Sequence, residues 1–156
     1  MSRPFSSWLS GPESAGPQSP DGTPGQRLGL PPTGAGSLAP TGRRVLALAV
    51  DWLVAYGIAG LGVALGWVTP EWLATVILVV WLVLGIAALR LFGFTPGQYA
   101  CGVRVVPVDG TGPGVGIVRA VVRGLLIALV VPALFVDADG RGLQDRATAT
   151  AVVRSR

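Results

Sequence analysis

One acidic side chain of this sequence sits where acidic side chains are expensive. Asp51 lies inside residues 45–68 (VLALAVDWLVAYGIAGLGVALGWV), a run that is otherwise free of charge. A charged group at the centre of a bilayer costs about 2.5–3.5 kcal/mol on insertion scales, so Asp51 must be held by protein. Counted along a helix from Arg44, it lies roughly 10 Å below the end of the apolar run. Long cationic side chains reach that depth, and the candidates are Arg44, Arg90, Arg119 and Arg123. A guanidinium within a few ångströms favours the charged form of a carboxylate. Two roles fit such a pair: a device that sets helix register, or a site that binds or moves an ion or small charged solute. Asp145, in the stretch GRGLQDR (140–146), reads by itself as a solvated loop residue. Asp137 and Asp139 read as interfacial turn residues.

The elements that must position these groups are apolar and long. Residues 45–68 exceed the roughly 20 needed to cross a bilayer, and residues 72–90 (WLATVILVVWLVLGIAALR) form a second run of sufficient length. Thr69, Pro70 and Glu71 make the turn between them, flanked by Trp67 and Trp72 as an aromatic belt would place them. Arg3, Arg27, Arg43 and Arg44 precede the first span; Arg90, Arg104, Arg119 and Arg123 follow the second; the turn has none. This asymmetry puts the amino terminus in the cytoplasm. Pro96 and Gly97 break the second helix. Residues 102–109 (GVRVVPVD) are rich in β-branched side chains and read as a short strand. A third apolar segment, 115–136, is interrupted by Arg119, Arg123 and Pro132. It either spans, with its arginines snorkelling to the interface, or re-enters and returns the carboxy-terminal tail to the side it came from. Residues 148–153 can pair with the 102–109 strand only in the second case.

Helical periodicity gives Asp51 a face. At 100° per residue Arg44, Ala47, Asp51, Ala55, Ala59, Gly62 and Gly66 form one stripe. Small residues on a stripe admit close helix approach, and Gly62 and Gly66 have the GxxxG spacing. Ala74, Gly85 and Ala88 supply a comparable face on the second span.

Composition agrees with a membrane setting. Of 156 residues 51% are hydrophobic and 13% charged, against about a quarter charged in soluble domains. All twelve basic residues are arginine, with a net charge of +4. Their place beside apolar runs argues against nucleic acid, because no aromatic and basic interleaving accompanies them. Cys101 is alone and histidine is absent, which excludes an intramolecular disulfide and any ordinary zinc or haem site. No metal or cofactor is expected. GTGPGVG (110–116) has neither dinucleotide nor P-loop spacing, and no nucleophile and base pair is visible, so catalysis is not expected. Residues 1–42 are rich in Ser, Gly and Pro and read as a disordered tail, too long to be the leader of a cleaved signal peptide. Phe5, Trp8 and Leu9 stand out in it as a patch suited to an interface or partner.

Three short motifs in order resemble the RDD family, named for one arginine and two aspartates. They are RVLALAVD (44–51), FTPGQ (94–98) with GVRVV (102–106), and RGLQD (141–145) followed by TAVV (150–153). The resemblance covers residues 43–154. It maps the trio onto Arg44, Asp51 and Asp145, and so raises Asp145 above a loop residue. Gln98 stands where the family pattern expects lysine, Gln144 where histidine is common, and Ala149 where glycine is usual. The family implies a membrane protein, with transport suggested.

The expectation is therefore an all-α membrane protein in a bacterial plasma membrane. It has a transmembrane helical hairpin, a third apolar helix that spans or re-enters, and a small cytoplasmic β-strand element. A disordered tail (1–42) precedes the membrane domain (43–154). Transport of an ion or small solute would require self-association through the small-residue faces or a partner subunit, since two or three helices enclose no pathway. The alternative is a non-catalytic membrane adaptor acting through its tail.

Overall fold

The computed structural model describes residues 25–110, 114–129 and 141–156. Helix α1 (Thr41–Ala64) and helix α2 (Leu73–Phe92) form an antiparallel hairpin, joined by a turn that includes a 3-10 segment (Pro70–Trp72). The short helix α3 (Pro96–Ala100) leads into strand β1 (Val103–Pro107). Helix α4 (Ile117–Ala128), helix α5 (Leu143–Ala147) and strand β2 (Thr150–Arg154) follow among the described residues.

Both hairpin helices are long and apolar enough to cross a membrane, and only 22% and 17% of their apolar windows are buried by protein. A core helix of a soluble domain buries most of its apolar surface; these two turn theirs outward. Leu53, Tyr56, Leu61 and Val83 are among the large side chains left exposed. The buried residues of α1 are Ala47, Asp51, Ala55 and Ala59, one helical stripe. Ala55 and Ala59 pack against Ile77 and Trp81 of α2, with Leu48, Leu73 and Val76 at the edges. The small side chains admit the bulky ones, and Trp81 stacks on Trp52 with ring centroids 5.6 Å apart.

The GxxxG pair does not serve as a packing face. Gly66 lies beyond the end of α1 with φ 73°, a left-handed conformation that glycine adopts at little cost. A Cβ on Gly62 would sit 3.2 Å from Val68 of its own turn, not against α2. Both glycines shape the turn, which holds the amides of Trp67 and Val68 on the Gly62 carbonyl. On α2, Gly85 has open space where a Cβ would be, and Ala88 is half-buried.

β1 and β2 pair antiparallel, Val103 opposite Arg154 and Pro107 opposite Thr150. The segment before α1 adds to this sheet. Gly36 N–H donates to the Arg154 carbonyl, Arg154 N–H to Ser37, and Ala39 N–H to Val152, each at 2.9 Å. Residues 36–39 are thus ordered against β2, which corrects their assignment to a disordered tail. Residues 1–24, with the Phe5, Trp8 and Leu9 patch, lie outside the described residues. Val103, Val105 and Val152 bury one sheet face against Ala47, Leu89, Val115 and Ala120. The sheet therefore caps the end of the hairpin where α1 begins and α2 ends. Of the third apolar segment, residues 115–129 are described, ending just past α4; Asp137 and Asp139 fall outside. Ala149 holds φ 49°, a strain of about 1–2 kcal/mol for a residue with a Cβ, and it occupies the place where the motif resemblance expects glycine.

Candidate functional site

Asp51 is held without an arginine. Its Oδ2 accepts from the Thr95 hydroxyl at 2.5 Å and its Oδ1 from the Gly97 N–H at 2.7 Å. Both donors belong to the start of α3. Thr95 caps that helix, accepting from Gln98 N–H at 3.3 Å, while Gln98 Oε1 accepts from Thr95 N–H at 3.1 Å. Glutamine at position 98 thus completes a capping box. Hydrogen bonds to a charged group contribute about 1.5–3 kcal/mol each. Two of them offset the insertion cost of about 2.5–3.5 kcal/mol for the carboxylate. Proximity makes the bonds available: a Cβ on Gly97 would fall 2.0 Å from the Ala47 carbonyl oxygen. Only glycine lets α3 lie this close to α1.

The arginines expected around Asp51 go elsewhere. Arg44 Nη1 donates to Asp145 Oδ2 at 3.3 Å, and its Nε donates to the Ala39 carbonyl at 2.9 Å. Arg123 donates from Nη1 to Asp145 Oδ1 and to the Thr150 hydroxyl, the latter at 3.1 Å. Asp145 is fully buried, contrary to its reading as a loop residue in isolation, and Arg123 is only 4% exposed. The physical reason is the sheet: β2 follows α5 directly and pairs with β1, which draws Asp145 inward beneath it. Thr148 and Thr150 close the cluster, their hydroxyls 2.9 Å apart, with Thr148 also donating to the Gln144 carbonyl at 2.6 Å. Arg119 pairs outside with Asp109, through bonds of 3.1 and 2.5 Å, and fastens the loop after β1 to α4. Arg90 is exposed at the last turn of α2.

The trio thus divides into two centres, half-buried Arg44 with Asp145 and Asp51 with α3, and buried Arg123 is a fourth member. A cavity of about 230 Å³ lies between them, walled mainly by α1, α2 and α4. Arg44, Asp51, Thr95, Gln98, Arg123 and Gln144 line its polar part. Leu48, Trp52, Trp81, Leu82, Ile86 and Ile127 line the rest. Gly85 lines it too, as does Gly124, whose Cβ would meet Leu82 at 2.9 Å and which therefore permits the approach of α4 to α2. Among the described residues no group of His, Cys, Asp and Glu has the arrangement of a metal site.

The arrangement presents a mostly apolar chamber with charged and amide groups at one end, as small-molecule sites do. Gln144 and Thr95 are members that charge-based reading missed. Their signal was position alone, one beside Asp145 and one ahead of a Pro-Gly helix start. A model of the RDD family matches residues 38–149. No curated protein and no solved structure matches the chain.

Proposed function

The chain belongs to the RDD family of membrane proteins, and from that premise we propose that it binds a small solute in the cavity between α1, α2 and α4 as part of its transport across the membrane. The observation that carries this reading is the cavity itself: polar and charged groups converge at one end of an intramembrane space walled by stacked indoles and aliphatic side chains. A pair that only set helix register would need no such space beside it. The hairpin does not enclose a continuous route, so the transporting unit contains a second copy or a partner subunit.

The third apolar segment re-enters in this proposal. Support comes from the antiparallel pairing of β1 with β2 and from the contacts of residues 36–39 with β2, which gather the segments before α1, after α2 and after α5 at one end of the hairpin. Arginine placement makes that end cytoplasmic. In a Cys101→Ser background, cysteines at the exposed positions Thr33 and Ser155 are expected to react with an impermeant maleimide from the same side of sealed vesicles. Labelling from opposite sides would remove the re-entrant topology.

Gly85 offers a direct test of the cavity. It faces the space with nothing within 4 Å of a would-be Cβ, so Gly85→Phe fills the chamber without displacing backbone. Stopped-flow swelling of proteoliposomes against sodium chloride, acetate, urea and glycerol gradients is the measurement. At least one solute is expected to enter several-fold faster than into protein-free liposomes, and Gly85→Phe is expected to abolish the difference while leaving the melting temperature at or above that of wild type. Equal rates for wild type, Gly85→Phe and empty liposomes would remove the transport reading. The adaptor alternative rests on the tail, residues 1–42, whose first 24 residues lie outside the described ones, and nothing in the described residues favours it.

A further inference from the structure

We propose that the solute is a small molecule of zero net charge with an apolar body and a hydrogen-bonding head, not a free ion; this rests on the solute-binding reading above. The charges at the polar end balance. Arg44 and Arg123 stand against Asp51 and Asp145, two guanidiniums for two carboxylates. Each of the four carboxylate oxygens already accepts a hydrogen bond, from Thr95, Gly97, Arg44 or Arg123. An entering cation finds no acidic oxygen without a donor, and an entering anion competes with Asp145 for the two guanidiniums. Either would leave one uncompensated charge in a low-dielectric space. An uncharged head disturbs none of these bonds.

Two carboxamides in the wall supply what an uncharged head needs. Gln98 and Gln144 both line the cavity. Gln144 is more than nine-tenths buried, and among the described residues its amide oxygen meets no donor. Buried acceptors are nearly always satisfied, and this one, folded beside Gly142, gains a partner when its side chain turns toward an N–H or O–H donor on the solute. The cavity volume of about 230 Å³ lies below the range of drug-sized sites, roughly 300–1,000 Å³. A single ring or short chain bearing one amide or hydroxyl group fits.

Three probes of nearly one shape separate the alternatives: benzamide, benzoate and benzylammonium. Calorimetric titration of the full chain in lipid nanodiscs at pH 7, with empty nanodiscs subtracted, is expected to show benzamide binding at least about tenfold more tightly than either ion, given the cost of an unbalanced charge at this depth. Asp51→Asn leaves the cluster with a surplus positive charge and is expected to shift the benzoate-to-benzamide affinity ratio about tenfold toward benzoate. Gln144→Glu supplies a second charge change, shifting preference toward benzylammonium, should Asp51→Asn fail to fold. Gln144→Leu is expected to weaken benzamide about fivefold while the melting temperature stays at or above wild type. Either ion binding as tightly as benzamide overturns the neutral-solute proposal, as does a charge variant with unaltered preference or a Gln144→Leu variant with unaltered benzamide affinity. No heat from any probe, with wild type and Gly85→Phe indistinguishable, overturns the solute-binding reading beneath it.

Discussion

Replacing Asp145 with asparagine is expected to destabilise the protein by about 3–5 kcal/mol, the range for breaking a buried ion pair by removing one partner. Asp145 has no solvent exposure and joins two guanidiniums, one from α1 and one from α4. Without that charge, Arg123 keeps only neutral acceptors, the Thr150 hydroxyl and the asparagine amide oxygen. Its side chain, 5% exposed, has little access to water. Asparagine preserves the shape and one acceptor, so the loss is electrostatic and not a matter of packing. The measurement is unfolding of the detergent-solubilised protein, followed by tryptophan fluorescence. The double variant Arg123→Met with Asp145→Leu removes a cation and an anion together and is expected to recover part of the loss, since buried pairs are often replaceable by apolar residues. A melting temperature for Asp145→Asn within error of wild type would show that the two arginines do not depend on this carboxylate.

Gly97→Ala is expected to cost about 3 kcal/mol, at the upper end for forcing an extra carbon into a packed site. The added Cβ would stand 2.0 Å from the Ala47 carbonyl oxygen and 3.0 Å from the Asp51 carboxyl carbon. The obstruction is backbone, which cannot rotate out of the way, so α3 must retreat from α1. Retreat stretches the 2.7 Å bond from Gly97 N–H to Asp51 and the 2.5 Å bond from Thr95. The variant therefore combines overpacking with a buried carboxylate stripped of its donors. Glycine to alanine within a helix ordinarily stabilises by roughly 0.5–1 kcal/mol, so the predicted sign is opposite to the intrinsic preference. A variant as stable as wild type would show that α3 does not sit against α1 as described.

Some of this architecture is legible in the sequence and some is not, for physical reasons. The buried stripe of α1 follows from helical period and side-chain size, so Ala47, Asp51, Ala55 and Ala59 can be picked out beforehand. The β-branched runs mark 102–109 and 148–153 as candidate partners only if the third apolar segment re-enters, and their register, 103–107 against 150–154, comes from the structure. The partners of Asp51 do not follow, because one is a backbone amide and the other a hydroxyl; complementary charge points to arginine and misleads. Asp145 carries no local sign of burial, sitting between short polar stretches, and only the motif resemblance singles it out. Residues 36–39 pair through backbone atoms alone, to which Ser and Gly composition is blind. Gly62 and Gly66 have the spacing of a helix contact, but Gly66 lies past the helix end, and the left-handed turn there accounts for the glycine.

The carboxylate that Arg44 needs lies 101 residues further along the chain. A ribosome therefore delivers the first helix to the bilayer long before the bridge can form, and it delivers Arg123 ahead of Asp145 as well. Sheet closure over residues 36–39 waits on the same late segment. The hairpin can pack through Ala55, Ala59, Ile77 and Trp81 before residue 145 exists, whereas the bridge and the sheet cannot form until it does. A nascent chain halted before residue 145 holds two guanidiniums at this end of the hairpin without the carboxylate that completes their bridge.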